Sequence, residues 1–197
     1  MPARTEITAQ KSEMRQRMIA ARARIPARTA KRAAQEISRQ FMGSIPVKKW
    51  DIIGGYWPMT GEVDTVMLLE ALAEQGHKVT LPVAKKRGEP LIFREWRPGL
   101  PLIRNPELKI QEPPKGAQEL TPTLLIVPLL AFDAAGYRLG FGAGFYDRTL
   151  AALAGKPLFT VGLAYARQQV GYVPREPHDH PLDCIITEKR ALITAES

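Results

Sequence analysis

The sequence has one cysteine, Cys184, only three histidines, and no apolar run approaching the length a membrane-spanning helix needs. A single cysteine cannot form an internal disulfide and excludes Cys-rich zinc sites, which fits a reduced, cytosolic protein. The N-terminal segment lacks the apolar core of a secretory signal, so the expected compartment is the cytoplasm. No Gly-Lys-Ser/Thr follows a glycine-rich loop, so a Walker A site is excluded. No Ser–His–Asp or Cys–His arrangement suggests a nucleophile. What is present suffices for an ordinary core. The 197 residues are 45% apolar and 24% charged, and a chain of this size buries roughly 70% of its unfolded surface. One domain over residues 1–197 is expected.

The net charge of +8 is unevenly placed. Residues 1–32 carry nine cations and two acids, whereas the other 165 carry 19 and 18. The body is therefore neutral, with a basic helical arm over residues 1–43. The arm fits a solvated basic helix. It also resembles a mitochondrial presequence, but Glu6 and Glu13 lie within it and its apolar spacing continues through Ala33, Ile37 and Phe41.

Helices are expected from about Thr8 to Ala23 and, after Pro26, from Thr29 to Met42, ended by Gly43. Trp50–Trp57 reads as a buried strand and Val63–Gln75 as a helix. Lys78–Val83 and Leu91–Trp96 read as short strands. Six prolines in residues 98–122 point to a long surface connection. Leu124–Pro128 is apolar throughout, the pattern of a strand buried on both faces. A helix over Tyr146–Leu153 and strands over Leu158–Ala164 and Cys184–Thr187 follow. Alternating strands and helices predict an α/β fold with a mainly parallel sheet flanked by helices on both faces.

The segment most suggestive of chemistry runs from Pro128 to Arg148, between a buried strand and a helix. Glycines at 140, 142 and 144 permit positive φ and close approach of backbone N–H groups to an anion. The helix start beyond them adds free donors and a favourable dipole. Arg138 and Arg148 bracket the loop. It can cradle phosphate, or it can simply tighten a strand–helix connection. Asp147 sits in the first helical turn, where the dipole favours an acid and where Mg²⁺ beside phosphates takes one or two carboxylates. Asp183, just before a strand, is the candidate second ligand. His178-Asp179-His180 lacks the further His or Cys of a zinc site, and Cys184 reads as buried packing.

The run Arg138-Leu-Gly-Phe-Gly-Ala-Gly-Phe-Tyr-Asp147-Arg148, preceded by Val127-Pro128 and Phe132-Asp133, resembles the signature of the 5-formyltetrahydrofolate cyclo-ligase family. Lys11 and Arg15 resemble its N-terminal basic pair. Tyr56–Thr65 resembles its Glu-containing loop, and Glu176–Glu188 its closing motif. The resemblance implies a reaction in which ATP and Mg²⁺ drive closure of 5-formyltetrahydrofolate to the 5,10-methenyl form. By position, it implies that Lys11 and Arg15 contact ATP phosphates. The loop of Arg138, Leu139, Gly140, Phe141, Gly142, Ala143, Gly144, Phe145, Tyr146 and Asp147 would wrap the nucleotide, with Arg138 and Asp147 catalytic. Asp147 and Asp183 would hold Mg²⁺. Glu62 would bind the pterin between walls of Trp57, Met59, Phe145 and Tyr146. Phe141 departs from the family, which often carries Arg or Lys there, so either a phosphate cation is missing or an aromatic wall is added. The implied enzyme is a monomer acting on small molecules, without nucleic acid or membrane partners. A non-catalytic binder of the same fold, or a nucleic-acid binder using the basic arm, are the other readings.

Overall fold

The structure is a computed structural model that describes residues 4–106, 110–176 and 179–194. The basic arm forms two helices, α1 (Arg4–Ala23) and α2 (Ala27–Ser44), broken where Pro26 is extended at φ −61°, ψ 143°. The second helix continues through Gly43, its expected end, to Ser44. A glycine late in a helix costs only about 1 kcal/mol. Buried Ile45 follows it and donates its N–H to Phe41 O, holding that last turn.

Strand β1 (Ile52–Gly54) is shorter than the apolar run around it. Trp50 is 74% exposed, and beyond Gly55 the chain leaves the ladder. Gly55 is required by packing: a Cβ there would lie 2.6 Å from a methyl of Leu69 on helix α3 (Val66–Glu74). Next come β2 (Lys78–Val83) and β3 (Ile92–Trp96). The proline-rich connection contains a small hairpin, β4 (Ile103–Arg104) and β5 (Gln111–Glu112), where only a loop was expected. Glu112 Oε1 ties it to the main sheet by accepting from Ala84 N and Asn105 Nδ2, both at 3.0 Å.

Strand β6 (Leu124–Pro128) leads into a second hairpin, β7 (Ala131–Phe132) and β8 (Arg138–Leu139), and then helix α4 (Phe145–Leu153). Strands β9 (Phe159–Leu163), β10 (Cys184–Ile186) and β11 (Ala191–Ile193) complete the chain.

Seven strands form one sheet in the order β11-β10-β9-β6-β1-β2-β3. The interior pairs are parallel, and only β2/β3 and β10/β11 are antiparallel. Alternation along the strands separates two cores. Leu124 and Ile126 share one with Ile37 and Phe41 of α2 and Leu68, Leu69 and Leu72 of α3. Leu125 and Val127 face the other, with Phe132 of β7 and Leu150 of α4. Helices thus cover both faces of a mainly parallel sheet. From β1 the chain moves outward to β2 and β3, whereas from β6 it moves the opposite way to β9 and β10. The neighbours β1 and β6 therefore form the topological switch, where open α/β sheets leave a crevice beyond their strand ends.

Candidate active site

A cleft of about 370 Å³ opens beyond these strand ends. The segment after β1 supplies Tyr56, Trp57, Met59 and Glu62, with Pro82 from next to the end of β2 and Pro128 from the end of β6. The loop from β8 into α4 forms one wall, and α1 closes the side with Lys11 and Arg15. Every residue expected at the site lines this cleft except Asp183. The two aspartates expected to share a metal are therefore not brought together on its wall. Asp183 Oδ2 instead accepts from Thr160 N and Thr160 Oγ1, both at 2.7 Å, bracing β9 against the start of β10.

The glycine loop has the geometry of an anion cradle. Gly142 and Gly144 have φ of +97° and +69°, conformations costly for other residues. Gly144 stands at the start of α4, which no side chain caps, so its first N–H groups face the loop. Arg15 Nε donates to Gly140 O at 2.9 Å and packs where a Cβ on Gly142 would stand. Arg148 Nη2 donates to Ala143 O at 2.6 Å from the other side.

The buried cations at the cleft have carboxylate partners. Lys11 Nζ lies 2.8 Å from Glu176 Oε2 and 2.6 Å from Asp179 Oδ2. Burial lowers the Lys11 pKa, but hydrogen bonds to Asp179 and Glu176 outweigh it and the net shift is upward. Arg138 Nη2 lies 2.5 Å from Asp147 Oδ1 and its Nη1 donates to His180 O. Burial lowers the Arg138 pKa, opposed chiefly by Asp147. Glu176 and Asp179 belong to the closing motif, yet sequence reasoning gave them no role. His178, between them, lies outside the described residues.

The opposite end of the cleft is apolar with one carboxylate. Glu62 Oε2 accepts from Met59 N at 2.8 Å, while buried Oε1 has no partner among the described residues. Desolvation raises the Glu62 pKa, with Met59 N–H and Arg22 opposing it. Burial also pushes the Tyr56 and Tyr146 phenols well above their usual range, so both stay neutral. Leu91, with Ile110 and Gln111 of the unforeseen hairpin, also lines the cleft. Their contribution had no sequence signal beyond the length of the connection that carries them.

Among the described residues no group of three or more His, Cys, Asp or Glu could hold a metal ion. Asp147 does suit Mg²⁺ bound largely by phosphate oxygens and water: one oxygen is held by Arg138 and the side chain is 38% exposed toward the cleft.

A phosphate-type loop facing an apolar pocket with a buried carboxylate, across the switch point of an α/β sheet, is the two-part cleft of an α/β enzyme with room for an anionic ligand beside an apolar one. The family model of the 5-formyltetrahydrofolate cyclo-ligase family matches residues 7–188. The 5-formyltetrahydrofolate cyclo-ligase of Haemophilus influenzae is 34% identical over 180 residues, 89% of this chain and 96% of its own. That of Escherichia coli K12 is 35% identical over 79% of this chain and 88% of its own. The solution structure of Aquifex aeolicus 5,10-methenyltetrahydrofolate synthetase superposes with a TM-score of 0.82 at 27% identity, covering 95% of this chain and 94% of that one. The chain belongs to the 5-formyltetrahydrofolate cyclo-ligase family.

Proposed function

We propose that the protein converts 5-formyltetrahydrofolate and ATP into 5,10-methenyltetrahydrofolate, ADP and phosphate. The observation carrying this reading is that one cleft joins the glycine loop and three cations, Lys11, Arg15 and Arg138, to the apolar pocket of Glu62. The names of the relatives and of the solved homologue support it.

A formamide oxygen is a poor leaving group. In the reaction we propose, it attacks the terminal phosphorus of ATP, forming an O–P bond as ADP leaves. The folate N10 then adds to the activated formyl carbon, loses its proton to solvent, and expels phosphate as the C–O bond breaks. Such chemistry asks for alignment and charge neutralisation rather than a protein nucleophile. Lys11 and Arg15 hold the phosphates, the loop N–H groups wrap them, and Arg138 faces the transferring group. Asp147 would hold Mg²⁺, which when bound neutralises phosphate oxygens. Asp183 is given no part in this. Glu62 fixes the pterin, and Trp57, Met59, Phe145 and Tyr146 form walls that exclude water. All these residues come from one chain, so a monomer suffices.

The test is spectroscopic. Purified protein with 5-formyltetrahydrofolate and Mg·ATP should develop the near-ultraviolet band of the methenyl product, and omission of ATP or Mg²⁺ should abolish it. ATP binding without any product band would refute catalysis and leave a binding protein of the same fold.

A further inference from the structure

Arg22 lies on α1 but is not part of the cleft lining, and the proposed chemistry gives it no role. It is nevertheless 5% exposed, deeper than a basic arm helix needs. Its guanidinium carbon stands 5.1 Å from the centroid of the Phe141 ring, on the glycine loop. Its Nη2 donates to Thr60 O at 3.4 Å. Its Nε packs against Gly61 so closely that a Cβ there would stand 3.3 Å away. Thr60 and Gly61 are the tip of a tight turn: Glu62 N donates to Met59 O at 2.9 Å, and the Glu62 carboxylate accepts from Met59 N. One guanidinium thus touches both the turn that carries Glu62 and the aromatic tip of the phosphate-type loop. Burial lowers its pKa, opposed chiefly by the charge of Glu62.

We infer that Arg22 is a positioning residue that couples the two halves of the cleft, so that folate in the Glu62 pocket and nucleotide on the glycine loop each strengthen binding of the other. This rests on the assignment of those two halves under the proposed function. A ligand that orders either loop fixes the guanidinium, and the second loop then finds its partner already in place. By linkage the effect on the two affinities must be equal. The aromatic residue at 141 makes this possible, because a basic side chain there would repel Arg22 instead of stacking on it. A cation–aromatic stack in a partly desolvated setting can supply a coupling factor of about 3- to 30-fold.

The experiment measures binding of a non-hydrolysable ATP analogue with Mg²⁺, with and without 5-formyltetrahydrofolate, and the reciprocal pair. Wild-type protein should bind each ligand more tightly in the presence of the other, by the same factor. Arg22→Gln and Phe141→Leu should each bring that factor close to one, and the double variant should lower it no further. Arg22→Lys should restore coupling, which a loss of packing alone would not allow. If Arg22→Gln does not fold, Phe141→Leu decides alone, since that ring is 41% exposed. Independent binding in the wild type, or undiminished coupling in folded Phe141→Leu, overturns the inference while leaving the functional reading intact. Failure of the wild type to bind either ligand overturns both.

Discussion

Glu62→Gln should make the protein more stable and a worse enzyme. The carboxylate is buried, one oxygen accepts a single hydrogen bond from Met59 N, and the other has no partner among the described residues. An unpaired buried charge costs more than an unpaired neutral amide of the same shape, by roughly 1 kcal/mol, or about 2–4 °C in Tm for a chain of this length. The sign also follows from pH. Burial raises the folded-state pKa of Glu62 above its ordinary 4.5, so the folded state holds a proton that the unfolded state has lost. Its contribution is most favourable below the unfolded value and declines as pH rises through the folded one. The Tm advantage of the glutamine variant should therefore be absent near pH 4 and grow as pH rises through that window. Thermal melts across pH read this directly. The functional cost is loss of a charged hydrogen-bond acceptor for the pterin, about 1.5–3 kcal/mol, or a 10- to 150-fold fall in kcat/KM for the folate. A variant that melts lower than wild type at neutral pH would refute the electrostatic account. Unchanged kcat/KM would remove Glu62 from the pterin pocket.

Lys11→Ala should raise KM for ATP about 10-fold, since it removes a phosphate cation and leaves Glu176 and Asp179 uncompensated beside the phosphates, with an unchanged circular dichroism spectrum; an unchanged KM would remove α1 from the nucleotide site. Asp147→Asn should abolish turnover while leaving that spectrum intact, because the residue pairs with Arg138 at a half-exposed helix start; full activity would exclude it as the metal's carboxylate. Asp183→Ala should lose two hydrogen bonds to Thr160, costing about 2 kcal/mol or ~4–8 °C in Tm. Its dependence on Mg²⁺ concentration should match wild type, and a shifted dependence would return Asp183 to the metal site.

The parts of the fold legible in the sequence are those whose burial is written locally. Leu124–Val127 is apolar at every position because both faces of β6 meet a core, and Ile37 and Phe41 keep helical spacing because one face of α2 does. The two-residue strands of the small hairpins are too short to show any period. The hairpin of β7 and β8 is held by a side chain instead. Asp133 Oδ1 accepts from Ala135 N and Tyr137 N across the turn, and its Oδ2 from Val173 N and Arg175 Nη2. The first two partners lie within four residues, but the others lie about forty residues away, where no sequence pattern reaches.

The same division runs through the site. Glycines 140, 142 and 144 mark a candidate anion cradle because backbone conformation is a local property, and Arg138 stands out by its place beside them, whereas Lys11 and Arg15 enter only through the family resemblance. What those cations do when buried was not legible. A buried ammonium must be compensated, and Lys11 finds its carboxylates 165 and 168 residues along the chain. Under the proposed function, an incoming phosphate would compete with Glu176 and Asp179 for Lys11, and with Asp147 for Arg138, so affinity would depend on a difference between two ion pairs rather than on the number of cations. Competition at Arg138 would have a further consequence, since phosphate pairing there would leave the Asp147 carboxylate beside the phosphates and available to a divalent cation. Asp183 looked equivalent in the sequence, an acid before an apolar strand. It differs in place: it does not line the cleft, and its Oδ2 accepts from Thr160 on the adjacent parallel strand.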